Sequence, residues 1–375
     1  MILLNPGPAN TTSTVKKALL CEDICPRESE FGDVMYRVAR GLARLVGDEK
    51  EYAAVLLAGS GTAAVEAALA STVPQDGRLL VVDNGAYGAR LSSIAEAYLM
   101  PHDTMSFGIG GWIEVDRIAE RLEKERYTQL AAVHHETTTG MLNPIEALGT
   151  VCRERGVELI VDAMSSYAGI PISMEAMSAD FLVSSANKCI QAMAGLCFVI
   201  ARRERLESMT SIPGRSLYLD LGLQYRFFES HHQMRFTPPV QLLHALATAI
   251  EELAAEGGVA ARHRRYYECW RVLDDGMRDM GFRRLLPDEQ LSHILTSYLE
   301  PTHEGYDFER FHDLLYGRGF TIYPGKGGKK ATFRLANMGA ITPEDIRRFI
   351  EAVRETVEEM GIATLYPDGF HHDRS

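Results

Sequence analysis

Between residues 50 and 200, short apolar runs alternate with longer stretches in which apolar residues recur every three or four positions. The runs at 53–58, 78–83, 130–134, 158–162, 180–184 and 196–201 have strand length and are apolar almost throughout, as strands covered on both faces must be. The helical pattern occupies 62–71, 89–99, 114–124 and 145–155. Strand, helix, strand in succession predicts right-handed crossovers and an α/β fold, with a mostly parallel central sheet covered by helices. Such sheets bind ligands beyond the carboxyl ends of their strands. Chemistry is therefore to be sought where an apolar run stops.

The rhythm changes near residue 240. Two long helical patterns, 239–255 and 259–280, are separated by Gly257-Gly258. A strand at 294–299, a helix at 308–318, strands at 320–323 and 332–336 and a helix at 343–360 follow. This pattern predicts a large α/β domain with an N-terminal segment over 1–255, and a smaller α+β C-terminal domain over 256–375. The length of 375 residues agrees with two domains of ordinary size.

Composition narrows the class. Apolar residues are 46% and charged residues 24%, values of an ordinary globular chain and not of a disordered one. No apolar run approaches the ~20 residues of a membrane span. With 39 Lys plus Arg against 51 Asp plus Glu, a general nucleic-acid surface is not expected, though a local cationic pocket is compatible. Six cysteines make no disulfide framework; only Cys21 and Cys25 are close enough to suggest a clip, and no metal set forms. The opening Met1-Ile2-Leu3-Leu4-Asn5-Pro6 is too short and uncharged for a signal peptide, so a cytoplasmic location is expected. His231-His232 and His371-His372 read as surface or tail residues. Met164, Met174 and Met177 read as core, and the cluster at 262–265 as a solvated helix face.

Three strand ends carry chemistry. Gly59-Ser60-Gly61-Thr62 joins a strand to a helix, where free backbone N–H groups and two hydroxyls make an anion cradle. With Ala63-Ala64 it also fits a loose dinucleotide fingerprint, Asp83 closing the next strand. Asp162 ends the run Leu159-Ile160-Val161. Lys188 follows Ser184-Ser185-Ala186-Asn187, small and apolar surroundings that are costly for a charge unless it is paired or its pKa lowered. A lysine able to form a Schiff base, an acid able to pair with a pyridinium nitrogen and a phosphate cradle together fit pyridoxal 5′-phosphate. A nicotinamide enzyme has no use for such a lysine.

The chain resembles the class V, fold-type I aminotransferases, and among them the 2-aminoethylphosphonate–pyruvate transaminase family. The likeness runs through Asn5-Pro6-Gly7-Pro8, Gly59-Ser60-Gly61-Thr62, Asn84-Gly85-Ala86-Tyr87-Gly88-Ala89-Arg90 and Glu136-Thr137-Thr138-Thr139-Gly140. It continues through Val161-Asp162-Ala163-Met164, Ser184-Ser185-Ala186-Asn187-Lys188-Cys189-Ile190-Gln191, Arg235-Phe236-Thr237-Pro238, Tyr323-Pro324-Gly325-Lys326 and Phe333-Arg334-Leu335. The resemblance implies Lys188 as the Schiff-base lysine and Asp162 as the acid facing the ring nitrogen. It implies Ser60, Gly61 and Thr62 around the phosphate, with Thr237 reaching the cofactor of a neighbouring subunit in a homodimer with shared active sites. Tyr87 is then the aromatic stacked on the ring, Thr138 lies near its phenolic oxygen, and Arg334 and Pro8 belong to the substrate site. Small-molecule aminophosphonate and keto acid, with neither nucleic acid nor membrane, are the implied partners. Departures from the family pattern at Asn5, Ala9 and His135 lie near the expected substrate mouth, with others at 191–195 and Gly327-Gly328; they bear on the amine substrate more than on the cofactor. The competing readings are an aminotransferase for another small acidic amine such as β-alanine, a cysteine desulfurase-like lyase, a cofactor-binding regulator and a nicotinamide dehydrogenase.

Overall fold

The computed structural model describes residues 1–328 and 330–367; His371-His372 lie outside them. Strand β1 (Ile2–Leu3) and helices α1 (Ser13–Lys17) and α2 (Ser29–Arg44) precede β2 (Tyr52–Gly59), α3 (Gly61–Thr72), β3 (Leu79–Asp83), α4 (Ala86–Ala97), β4 (His102–Ser106), α5 (Val115–Lys124) and β5 (Gln129–Val133). A small hairpin, β6 (His135–Glu136) and β7 (Met141–Leu142), leads to α6 (Ile145–Glu154), β8 (Glu158–Asp162), β9 (Phe181–Ser185) and β10 (Gly195–Arg202). Four helices follow: α7 (Arg203–Ser208), α8 (Leu221–His231), α9 (Val240–Glu256) and α10 (Gly258–Asp279). The chain ends with β11 (Leu295–Leu299), α11 (Phe308–Gly317), β12 (Phe320–Thr321), β13 (Tyr323–Pro324), β14 (Thr332–Ala336) and α12 (Pro343–Glu359).

Seven strands form the central sheet in the order β2-β10-β9-β8-β5-β3-β4. All neighbours are parallel except β10, which runs against both β2 and β9. Each central strand sends alternate residues to opposite layers. Ala54, Leu56, Leu80 and Val82 join one apolar cluster, with Phe31, Leu42 and Leu246 from the helices. Ala53, Val55, Leu79 and Val81 join the other, with the small residues Ala64, Ala67 and Ala68 of α3. Both faces are therefore dry, which is why these strands are continuous apolar runs. The edge strand β4 is half-exposed and polar, and its sequence does not carry that signature.

A second sheet, β11-β14-β13, is antiparallel. It packs with α10, α11 and α12 around Phe282, Tyr298, Phe311, Phe333 and Phe349. Leu4, from the start of the chain, belongs to this same core, and β1 pairs with β12. The division proposed between residues 255 and 256 falls beside the turn at Gly257, whose φ of 104° closes α9. No described helix is long and apolar enough to cross a membrane.

Candidate active site

The parallel strands share one carboxyl edge, and their ends meet there. Gly59-Ser60 after β2, Asn84-Gly85 after β3, His135 after β5 and Asp162 at the end of β8 all fall on it. Because β10 returns antiparallel beside β9, residues 186–194 bend at the same edge and carry Lys188. Ser60, Gly61, Thr62, Tyr87, Asp162 and Lys188 line one cavity of about 540 Å³. Six of the ten residues singled out in the sequence are thus brought together.

Lys188 is held from above by the N-terminal segment. Its Nζ donates to the Pro6 carbonyl, and the Ala9 N–H donates to the Asn187 carbonyl at 3.0 Å. A Cβ on Gly7 would fall on Lys188 Nζ, so only glycine lets the segment pass so close. Burial holds the Lys188 ammonium below the ordinary lysine value, and nearby Arg334 adds to this. Asp162 is buried, and its Oδ1 accepts the Met164 N–H at 2.9 Å. Burial, with Glu136 adding, raises its carboxyl to about 6, against the pull of that N–H, Arg90 and Lys188.

The start of α3 is open. Ser60 is its N-cap residue, yet makes no side-chain capping bond; the Ala63 N–H turns back to the Ser60 carbonyl, while the Ser60 hydroxyl and the N–H groups of Gly61 and Thr62 have no partner among the described residues and line the cavity. A Cβ on Gly61 would strike the Met164 side chain. Met164 is therefore a wall of this cavity and not core filling, unlike the buried Met174 and Met177. The chemistry of the donor set fits a phosphorylated pyridine aldehyde. Anion donors stand at α3, an amine with a lowered pKa at Lys188, and Asp162 Oδ2 has no donor among the described residues.

Arg334 comes from the neighbouring sheet and is 5% exposed. Its Nε donates to the Pro324 carbonyl at 3.0 Å and its Nη1 to the Thr137 carbonyl at 3.3 Å, and the Tyr87 hydroxyl lies within bonding reach of the same guanidinium. Tyr87 stands between it and the cavity. Burial alone would raise the Tyr87 phenol, but a bond with Thr137 and the charges of Lys188, Lys326 and Arg334 bring it below the usual tyrosine value. Thr138 Oγ1 accepts the Ala86 N–H at 3.0 Å, helping to start α4. Pro8 is exposed, its carbonyl bonded by Asn5 Nδ2. Thr237 is exposed and outside the cavity of its own chain.

Several residues of the site had no role in the sequence reading. Glu136 is fully buried; its Oε2 accepts the N–H groups of Tyr87 and Gly88, and its Oε1 that of Thr138. It caps α4, whose N-cap Gly85 has no side chain to do so. Arg90 lines the cavity with its guanidinium 4.8 Å from the Tyr87 ring; being three residues on from Tyr87 in α4, it was findable from helical spacing. His135, expected near the substrate mouth, is buried and outside the cavity lining, bonded to Ser292 and kept neutral by a pKa lowered to about 3 through burial.

The basic cluster of α10 corrects an expectation. Arg262 is 2% exposed, not solvated, because Glu256 pairs with its Nε and the carbonyls of Cys189 and Ile190 accept from Nη1. Arg265 pairs with the same carboxylate and donates to the carbonyls of Gly339 and Ile341. Tyr266 Oη accepts from Gln191 Nε2 at 2.7 Å and from the Gly339 N–H at 3.0 Å. One helix thereby ties the Lys188 loop to the segment following Arg334. The other expectations find spent or enclosed groups. Asp83, the acid of the dinucleotide fingerprint, is bonded to Gly85 N–H and Ser106. Cys21 and Cys25 are free thiols, and Cys269 is enclosed in the C-terminal core.

The family described as aminotransferase class-V matches residues 18–337. A 2-aminoethylphosphonate–pyruvate transaminase of Syntrophobacter fumaroxidans is 44% identical over 362 residues, 96% of this chain and 97% of that protein. One from Bacteroides fragilis is 44% identical over 361 residues, 95% and 98% of the two chains. Among solved structures, alanine–glyoxylate aminotransferase from Nostoc sp. is similar with a TM-score of 0.88 at 27% identity, over 95% of each chain. The fold is that of the fold-type I aminotransferases. This chain belongs to the class-V aminotransferase family.

Proposed function

We propose that this protein is a pyridoxal 5′-phosphate-dependent transaminase that moves the amino group of 2-aminoethylphosphonate, or a close aminophosphonate, to pyruvate, giving phosphonoacetaldehyde and alanine. The observation that carries the reading is the meeting of Lys188, Asp162 and the open start of α3 in one cavity, with a buried arginine beside it. The names of the relatives supply the substrate pair. Pyridoxal 5′-phosphate, when bound, supplies an aldehyde for the amino group and a ring that takes up the electrons left as the substrate carbon loses a proton.

The chain's own residues divide the remaining work. Ser60, Gly61 and Thr62 would hold the phosphate with N–H groups and hydroxyls. Lys188 Nζ, with its pKa lowered by burial, would hold the aldehyde at rest and afterwards carry the proton to and from the substrate carbon. Asp162 would keep a proton on the ring nitrogen through its negative charge, and Tyr87, which lines the same cavity, would cover the ring. Arg334 binds the acidic group of each substrate in turn through the side of its fork that meets Tyr87, a planar donor that suits both carboxylate and phosphonate oxygens. The enclosure of Cys269 leaves the desulfurase reading without a nucleophile.

The test is a half-reaction screen of the cofactor-loaded enzyme with single amines. 2-Aminoethylphosphonate is expected to react faster than β-alanine, its carboxylate counterpart. Arg334→Lys is expected to slow both the phosphonate and the pyruvate half-reactions at least tenfold, because lysine keeps the charge but loses the planar fork. A preference for β-alanine would overturn the substrate assignment.

We also propose a homodimer in which Thr237 completes the partner's phosphate site. The exposure of Thr237 outside its own cavity supports this. Sedimentation at working concentration is expected to give a dimer, and Thr237→Ala to loosen the cofactor. A cofactor-loaded, active monomer would refute it.

A further inference from the structure

Beside the cavity, two cations, Lys326 and Arg334, act on the Tyr87 side chain, more positive charge than one carboxylate requires. Lys326, in the loop leaving β13, places Nζ 5.0 Å from the centroid of the Tyr87 ring. Arg334 approaches the same side chain from β14. The two cations are structurally linked. Tyr323 lies opposite Arg334 in the β13–β14 ladder, and Arg334 Nε is anchored on the carbonyl of Pro324, two residues before Lys326. Gly327 and Gly328, with φ of 64° and 126°, turn the chain directly after Lys326 in a region that side chains avoid.

No acid among the described residues answers this lysine, which is exposed. Among the described residues Lys326 has no ion-pair partner. The nearby Glu136 carboxylate is already committed to three backbone N–H groups. A guanidinium fork matches a singly charged carboxylate by itself. A phosphonate carries a third oxygen and up to two charges, and an unanswered ammonium beside the fork is what distinguishes the two anions.

We propose that Lys326 is a specificity-determining residue: with Arg334 it forms a two-cation site matched to a doubly charged phosphonate in preference to a carboxylate. The inference rests on the aminophosphonate reading above and adds the residue that selects the anion.

The experiment uses unreactive anions that lack the amine, so that binding is read apart from turnover. Ethylphosphonate, its monomethyl ester and propionate are titrated calorimetrically into the cofactor-loaded enzyme at a pH where ethylphosphonate is doubly ionised. Wild type is expected to bind ethylphosphonate about tenfold or more tightly than either singly charged anion, the size of one added charge at partly solvated range. Lys326→Met is expected to remove most of that margin, and Lys326→Arg to restore it. Arg334→Lys is expected to weaken all three anions. Equal losses for the three anions in Lys326→Met, or no loss for ethylphosphonate, would overturn the inference. If in that case the wild type still transaminates 2-aminoethylphosphonate, the proposed function stands and only the role of Lys326 falls. A wild type that neither binds ethylphosphonate preferentially nor accepts 2-aminoethylphosphonate overturns both.

Discussion

Lys188→Ala is expected to lose three or more orders of magnitude in turnover, about 4 kcal/mol or more of transition-state stabilisation. Borohydride reduction of the loaded wild type is expected to leave a pyridoxyl group on Lys188 and on no other lysine. The variant is still expected to bind cofactor, since Ser60, Gly61 and Thr62 and the Asp162 carboxylate are untouched by the change. The expected loss is large because the proposed function gives one amine two tasks, attachment and proton transfer, and its surroundings suit both. The Pro6 carbonyl orients Nζ, burial lowers its pKa, and Gly7 leaves it room. Labelling of another lysine in peptide maps would contradict the assignment.

Asp162→Asn is expected to act in opposite directions on catalysis and stability. The near-isosteric change removes the charge that keeps the ring nitrogen protonated, and a loss of roughly two orders of magnitude, about 3 kcal/mol, is expected in turnover. In the cofactor-free protein the same charge is a burden. Burial raises the folded-state pKa to about 6 from the ordinary 3.8. Between these values the folded state binds more protons than the unfolded one, so stability falls as pH rises and the full cost is reached above about pH 6. Two units correspond to roughly 3 kcal/mol. Cofactor-free Asp162→Asn is therefore expected to melt higher than wild type at pH 8 and alongside it at pH 4. Comparing melting curves at the two pH values checks this; a variant equally or less stable at pH 8 would mean that Asp162 is satisfied without the cofactor.

The parts legible in the sequence share one cause. Strands dry on both faces must be apolar throughout, and the first polar residue after such a run lies at the ligand edge, as Ser60 and Asp162 do. The half-exposed strand β4 is polar, and α2 begins at Glu28 without a side-chain cap, so neither announced itself. The basic residues of α10 looked solvated because helical spacing tells which face a residue occupies, not what lies against it. The partners of Arg262 are carbonyls of the Lys188 loop, more than seventy positions away. Glu136 was quoted within a motif, yet its task, capping a helix that starts fifty residues earlier, is a tertiary fact.

The pairing of β1 with β12 bears on how the protein is made. The segment that roofs Lys188 is synthesised long before the strand that anchors it: Ile2 is opposite Phe320, Leu4 N–H reaches the Thr321 carbonyl, and the Leu4 carbonyl receives the Ala336 N–H. A two-residue strand has no independent stability, and a contact between residues so far apart in sequence forms late. A nascent chain can thus complete its large parallel sheet with the lysine pocket still roofless. Translation products that stop short of residue 320 would lack the lid's anchor however well their sheet folds, so a competent active site doubles as a signal that synthesis has passed the anchoring strands.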